Sequence, residues 1–399
     1  MTAHSHLGAS GASRWMHCAG SVSLIKMLRE LGMAIPDDEE EPGYRTEGSC
    51  AHAAACKCLQ EDLDGWEVVG QEFEGMALTA DMAVAIQYYL DVCRPKMQRS
   101  ELTMLEASMA APHLHPAMFG TTDCSTVSFE GSSGVMECWL DVVDYKNGAG
   151  ISVDVVENPQ EMYYARLVLD KLKRERPDLF DQIENVRLTI VQPNDYNPSG
   201  RVREWATTKT HILEWCEGTL LPAMRRAEVE QGLMVGDHCR FCPAKLVCPA
   251  QRRLFKAVAD ASLADVTEYS DQDLNADFVM VDAVMHHKRA IEGELLRRTM
   301  MGRRFDDAKL VNKQTDRVYK TGAADRFTAE FGDKAMAPTK LRSPAEMEKL
   351  GPEAKKLVKE WAFTPHMGYT IVPRSTKRIE VKPPSPSATF KAVMTKETE

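Results

Sequence analysis

Asp144 and Lys146 flank a tyrosine where the strand-like run "DVVDYKNG" meets an Asn-Gly turn. An acid and a lysine two apart share one face of a strand. They can be a plain ion pair, or a metal-binding carboxylate beside a water-activating lysine. The stretch "TTDCSTVSFEGSSGVMECWLDVVDYKNG" reads as two strands joined by Gly-Ser-Ser-Gly at 131–134. A turn centred there pairs residues whose numbers sum to 265, which sets Asp123 opposite Val142 and diagonal to Asp144. Diagonal neighbours lie about 7 Å apart at the backbone, close enough for two carboxylates to share a divalent ion. Without a cation between them such acids repel and one loses its charge. Asp141 falls on the opposite face and reads as structural.

The second chemically suggestive stretch is "CRFCPAKLVCP" at 239–249. Cys239, Cys242 and Cys248 give C-x2-C-x5-C, and three clustered thiols require a fourth ligand. Cys18, His17 and His238 are candidates, with Cys216 behind them. Soft thiolate ligation suits an iron–sulfur cluster or zinc. The other cysteines, 50, 56, 58, 93, 124, 138 and 216, sit on apolar faces and read as core.

These residues need a scaffold. The chain has 399 residues, 44% of them hydrophobic, enough for two or three domains. Helices are expected at 14–31, 45–62, 79–98, 158–176 and 208–231. Strands are expected at 101–110, 119–130, 135–146, 150–156 and 185–193. That order implies an α/β fold, a mixed central sheet flanked by helices. The acidic stretch at 36–43 reads as a loop. No run of about 18 apolar residues is present, so no membrane partner is expected. The start of the chain lacks the pattern of a secretory signal, which points to a cytoplasmic location and reduced thiols. A net charge of −10 argues against a passive nucleic-acid coat but leaves room for a local basic groove.

The ordered set of motifs resembles the RecB-type iron–sulfur branch of the PD-(D/E)XK nuclease superfamily. Gly48 to His52 ("GSCAH") matches its helical G-x3-H. Gly120 to Asp123 ("GTTD") matches G-x-x-D, with Thr122 where the superfamily often has proline. Asp144, Tyr145 and Lys146 match D-x-K, and Gln160 to Tyr164 ("QEMYY") matches Q-x3-Y. Cys18 before this core and Cys239, Cys242 and Cys248 after it match the cluster ligands of that branch. The resemblance spans residues 14–250, and the chain is also similar to uncharacterised phage recombination-associated exonucleases.

The resemblance implies a restriction-endonuclease-like core with an iron–sulfur staple in residues 1–258. The resemblance stops there; the residues themselves suggest a C-terminal accessory α+β extension at 259–380 and a disordered tail at 381–399. Within the core the resemblance implies Mg²⁺ or Mn²⁺ held by His52, Asp123, Asp144 and the Tyr145 carbonyl, with Lys146 acting on the water. Gln160 and Tyr164 would contact DNA, and Cys18, Cys239, Cys242 and Cys248 would carry a 4Fe-4S cluster, zinc being the fallback. By spacing alone, Glu47 sits one turn before His52, an i, i+5 offset that splays the two apart, and is a candidate to support it from behind. The expected activity is a DNA exonuclease that resects ends for phage-type recombination in a bacterial host cell, with a single-strand annealing or single-strand binding protein as partner. A CRISPR-adaptation or helicase-associated end-trimming nuclease is the alternative. A cluster-stabilised DNA-binding module without catalysis is the alternative of another class. A basic path is expected from 171–176, Arg201, Arg203, Arg225, Arg226, Arg240, Lys245, Arg252 and Arg253. A long amphipathic helix is expected at 270–302, and a Ser343 cap with Pro344 opens a further small helix. The region after 260 reads as a packing domain or a docking or DNA-guiding one.

Overall fold

The computed structural model describes residues 6–32, 42–132, 135–148, 152–195, 199–260, 270–313, 317–320, 322–337, 340–364, 368–374 and 378–382. The acidic loop up to 41, the hairpin turn at 133–134 and the expected tail from 383 lie outside these residues, and 42–43, expected in that loop, instead begin a helix. The chain divides into two compact units, Met1–Val284 and Met285–Glu399.

The first unit is built on a five-stranded mixed sheet: β1 (Ser100–Ala110), β2 (Phe119–Ser132), β3 (Val135–Tyr145), β4 (Ile183–Val191) and β5 (Val202–Thr208). The strands lie in sequence order; only β3 and β4 run parallel, and the other neighbours are antiparallel. A parallel pair needs a crossover. The helices α5 (Pro159–Glu175) and α6 (Pro177–Gln182) supply it. Asn158 caps α5 by accepting from the backbone N–H groups of Gln160 and Glu161, and Pro159 takes the first helical position.

The remaining helices of this unit are α1 (Ala12–His17), α2 (Gly20–Glu30), α3 (Pro42–Glu61), α4 (Ala80–Gln98), α7 (Lys209–Trp215), α8 (Leu221–Val229) and α9 (Pro249–Asp260). One sheet face, with Leu140, Val142, Leu188 and Ile190, packs under α1, α5, α7 and α8. The other face, with Cys124, Val143, Tyr145 and Val191, packs under α3 and α4. A sheet covered on both sides can be apolar on both sides, and residues 188–192 are buried without alternation.

Four further expectations change. Residues 152–155 form no strand. Side chains satisfy that backbone instead: Val153 N donates to Gln192 Oε1 and Val153 O accepts from Arg203 Nε. The strand β5 takes a place that the sequence reading left empty, because buried Arg203 breaks its apolar alternation. The helix expected at 14–31 breaks at Cys18–Ala19 between α1 and α2. The one expected at 208–231 is interrupted by a π-helical turn, Cys216–Leu220.

The long helix α10 (Asp271–Met300) appears where the sequence placed it. In the second unit β6 (Ala308–Asn312) pairs with β9 (Tyr369–Pro373), and β7 (Val318–Tyr319) with β8 (Ala362–Phe363). The helices α11 (Ala323–Phe331), α12 (Pro344–Glu348) and α13 (Pro352–Trp361) enclose Phe327, Met347, Leu357 and Val358. Ser343 and Glu346 form a capping box with Pro344 in the first turn. No described helix is long and apolar enough to cross a membrane.

Candidate metal centre and thiol cluster

The pairs Cys124–Val143 to Ser132–Val135 sum to 267, not 265. The strand β2 continues through Gly131 and Ser132, which leaves a two-residue hairpin in place of the expected four-residue turn. The two-unit shift keeps the facing unchanged but tightens the site. The ladder ends at Cys124–Val143; carried one step further, that register sets Asp123 across from Asp144 and not diagonal to it. Asp123 Oδ2 accepts from Tyr145 N at 2.7 Å, locking the two strand ends together.

His52 on α3 and Glu106 on β1 complete a cage. His52 Nδ1 lies 3.2 Å from Asp123 Oδ1 and 3.7 Å from Glu106 Oε1. His52, Glu106 and Asp123 each bring one ligand atom to within 4.8 Å of the others. Glu106, and not Glu47, is therefore the acid beside His52. Sequence reading missed it: Glu106 sits in a long strand with no motif around it. Its φ of +44° is a local irregularity between the pairs Leu105–Cys124 and Ala107–Thr122. A non-glycine residue held there is strained, and such strain concentrates at functional sites.

Lys146 Nζ meets Asp144 Oδ2 at 2.7 Å. Burial pushes the Asp144 carboxyl up to about 6, with the Asp123 charge adding to it and Lys146 opposing. Burial alone would pull His52 down, but Asp123 and Glu106 outweigh it and hold the ring up to about 10. Lys146 stays above its ordinary value, since Asp144 and Glu161 outweigh its burial. Several carboxylates thus converge on few cations.

The helix α5 presses the site from one side. Gln160 Nε2 donates to Asp144 Oδ1 at 3.4 Å and to Tyr164 Oη at 3.2 Å. Both residues of the Q-x3-Y pair are tied to the acid. Between them lies Glu161, fully buried, with no hydrogen-bond partner for either carboxyl oxygen among the described residues. Burial raises its carboxyl well above the ordinary range, and the neighbouring charges of Asp144 and Asp123 raise it further. Sequence reading missed Glu161 too, because its helical position falls on the apolar face beside Met162 and Ala165. Gly120 has a steric reason: a Cβ there would meet Leu167 Cδ1 at 3.0 Å and Tyr164 Cε1 at 3.1 Å. Gly48 has none, its surroundings being open.

The four cysteines of the second set come together from opposite ends of the first unit. Cys18 Sγ accepts from Met234 N at 3.4 Å, and Cys239 Sγ donates to Met234 O at 3.7 Å. Cys242 and Cys248 are buried beside Leu24, Ile25 and Leu28 of α2. Gly20 makes this approach possible, because a Cβ would collide with Gln231 O at 2.5 Å. Burial pushes Cys18 and Cys239 up, but hydrogen bonds from His238 and from backbone N–H groups pull both below the ordinary thiol value. Burial lifts Cys242 to about 11. Among the described residues no three of these sulfurs lie within 4.8 Å of one another. Cys216 is buried in the main core and not here, and of the other core cysteines only Cys56 is half-exposed.

The basic path changes in detail. Arg203 is buried and bonded to Gln192, Asp195 and two carbonyls, so it is structural. Lys171, Arg174 and Arg176 pair with Glu175, Asp170 and Asp178. Arg225, Arg226, Arg252 and Arg253 remain exposed. Asp141, as expected, is structural: it meets Lys96 at 2.7 Å and Arg187 at 3.1 Å.

Fold and site define a mixed α/β protein with a candidate metal centre at one end of its sheet. The chain belongs to the family described as "Protein of unknown function (DUF2800)", whose model matches residues 4–379.

Proposed function

We propose that this protein is a divalent-metal-dependent DNA exonuclease with a restriction-endonuclease-like core. The observation that carries the reading is the convergence of His52, Glu106 and Asp123 within 4.8 Å, beside Asp144 and its 2.7 Å partner Lys146. The donor set is oxygen-rich with one imidazole, which suits Mg²⁺ or Mn²⁺. When bound, such an ion neutralises phosphate charge and lowers the pKa of a water. His52, Glu106 and Asp123 would hold it, with Asp144 and the Tyr145 carbonyl as further oxygens. Lys146 would orient the water and stabilise charge developing on the phosphate. Gln160 and Tyr164 hold Asp144 in place and would border the DNA backbone. Resection of DNA ends alongside a single-strand annealing protein is the role that best fits such chemistry.

In the same proposal Cys18, Cys239, Cys242 and Cys248 carry a 4Fe-4S cluster. Zinc would draw its thiolates to about 3.8 Å from one another, given Zn–S bonds of about 2.3 Å. In a four-iron cluster each thiolate instead hangs from its own iron, and iron content distinguishes the two.

End-labelled linear and covalently closed circular DNA incubated with Mg²⁺ or Mn²⁺ test the activity. Linear DNA should shorten from its ends while circles survive. Asp144→Ala and Lys146→Ala should each lower the rate by about 10²–10³ or more while keeping the fold. A folded Lys146→Ala protein cutting at the wild-type rate would refute the assignment.

A further inference from the structure

The charges of this chain are divided unevenly between its two units. Residues 285–399 carry 24 Lys and Arg against 15 Asp and Glu, a net charge of +9. Residues 1–284 carry 25 against 44, a net charge of −19. A single figure of −10 conceals a basic unit joined to an acidic one. Within the basic unit many acids are already engaged: Glu292, Glu294, Glu330, Glu348 and Glu380 all sit in ion pairs. Glu346 is held in the cap of α12.

Three lysines of this unit lie together on α13. This helix buries Ala354, Leu357 and Val358 and turns Lys355, Lys356 and Lys359 outward, with Glu353 and Glu360 the only acids on it. None of the three lysines has an ion-pair partner among the described residues. Past the end of the helix, β8 presents Phe363, which is 47% exposed. Phe363 lies four residues after Lys359, hence at most about 14 Å away. Lys320, also exposed, donates its backbone N–H to Trp361 O at 2.7 Å, so it borders the same end of α13.

We infer that Lys320, Lys355, Lys356, Lys359 and Phe363 form a binding face for single-stranded nucleic acid. Lysines along a helix meet successive phosphates, and an exposed ring beside them offers a base its flat face. A duplex keeps its bases stacked on one another and has no use for the ring. An anionic membrane fits less well, because the outer face of α13 carries no large apolar residue to insert. The inference deepens the nuclease reading and rests on it for the choice of nucleic acid over other polyanions.

The test uses the full chain in EDTA and a short fluorescein-labelled oligothymidylate, with affinity read by anisotropy across a salt series. The triple variant Lys355→Gln/Lys356→Gln/Lys359→Gln should weaken binding and flatten the log–log salt slope by about 2, three phosphate contacts at about 0.7 each. Phe363→Ala should weaken binding roughly 10-fold and leave the slope unchanged. Unlabelled duplex of the same length should compete poorly. A wild-type slope in the triple variant overturns the face, as does competition by polyglutamate equal to that by the oligonucleotide. Duplex competing as well as single strand, or Phe363→Ala binding normally, overturns the single-strand assignment. Hydrolysis is read separately with Mn²⁺. Binding as described without hydrolysis leaves the face standing and removes the nuclease, and the reverse result does the opposite.

Discussion

At the scale of single residues, two carboxylates that belong to no motif matter most. Glu106 stands 3.7 Å from His52 Nδ1 in a backbone conformation that costs energy to hold. Calorimetric titration with Mn²⁺ should show Glu106→Gln binding about 10–100-fold more weakly, the range set by residues supporting a metal site. Unchanged affinity would remove Glu106 from the ligand set. Glu161 is buried without a hydrogen-bond partner among the described residues. Its folded-state carboxyl titrates above the unfolded value, so it keeps its proton where an unfolded chain has lost it. The stability tied to Glu161 is therefore complete below about pH 4, the unfolded value, and falls as pH rises toward its folded value. Glu161→Gln abolishes this dependence. In EDTA at pH 8 the variant should melt about 2–4 °C above wild type, the shift produced by roughly 1 kcal/mol in a unit of this size. At pH 4 the two should melt together, and a variant less stable at pH 8 would show that the acid is charged and compensated.

At the scale of elements, the site depends on how closely α5 and α4 lie on opposite faces of the sheet. Gly120 lets α5 approach β2 until Tyr164 and Leu167 touch it. Gly120→Ala asks those side chains to yield a few tenths of an ångström, at a cost of about 1–3 kcal/mol. Because Tyr164 bonds Gln160 and Gln160 bonds Asp144, metal affinity should fall along with the melting temperature. A loss of stability with metal affinity intact would separate α5 from the site. On the other face, Asp141 joins Lys96 of α4 to Arg187 of β4, and Arg187 also reaches Glu130 of β2 at 2.9 Å. Removing one member strands buried charges. Asp141→Ala should cost about 3–5 kcal/mol in chemical denaturation. A loss under 1 kcal/mol would mean that water reaches the remaining charges.

At the scale of the whole molecule, Cys18 and Cys239 meet through the backbone of Met234, 216 positions away from Cys18. A metal or cluster there closes nearly the whole first unit into one loop, and its binding energy becomes folding energy. Protein purified without oxygen should be brown and contain iron. Cys18→Ala should lose the metal and lower the melting temperature of the whole first unit, not merely loosen the loop at 234–248. Colourless protein with one equivalent of zinc would keep the staple and exclude the cluster. Full metal content in Cys18→Ala would exclude Cys18 as a ligand.

What the sequence settled by itself is what local chemistry encodes. Strand-like runs marked the sheet strands around Asp123 and Asp144, the pattern at 158–176 marked the helix after them, and Ser343 with Pro344 marked the start of a small helix. Period-two facing was enough to put both aspartates on one face, since a register error of an even number of residues leaves facing unchanged. That same error hid the direct opposition of Asp123 and Asp144, because hairpin register depends on how many residues the turn takes. Glu106 could not be found from sequence: its relation to His52 is set by strand pairing and by the packing of α3, across 54 positions of chain. Arg203 was expected in an exposed basic path and Glu161 drew no reading, because composition cannot say which charges folding will bury; only the tertiary structure placed Glu161 without a hydrogen-bond partner among the described residues and Arg203 inside a web of carbonyls. The meeting of Cys18 with Cys239 likewise needed Gly20, whose missing Cβ matters only once residue 231 arrives against it.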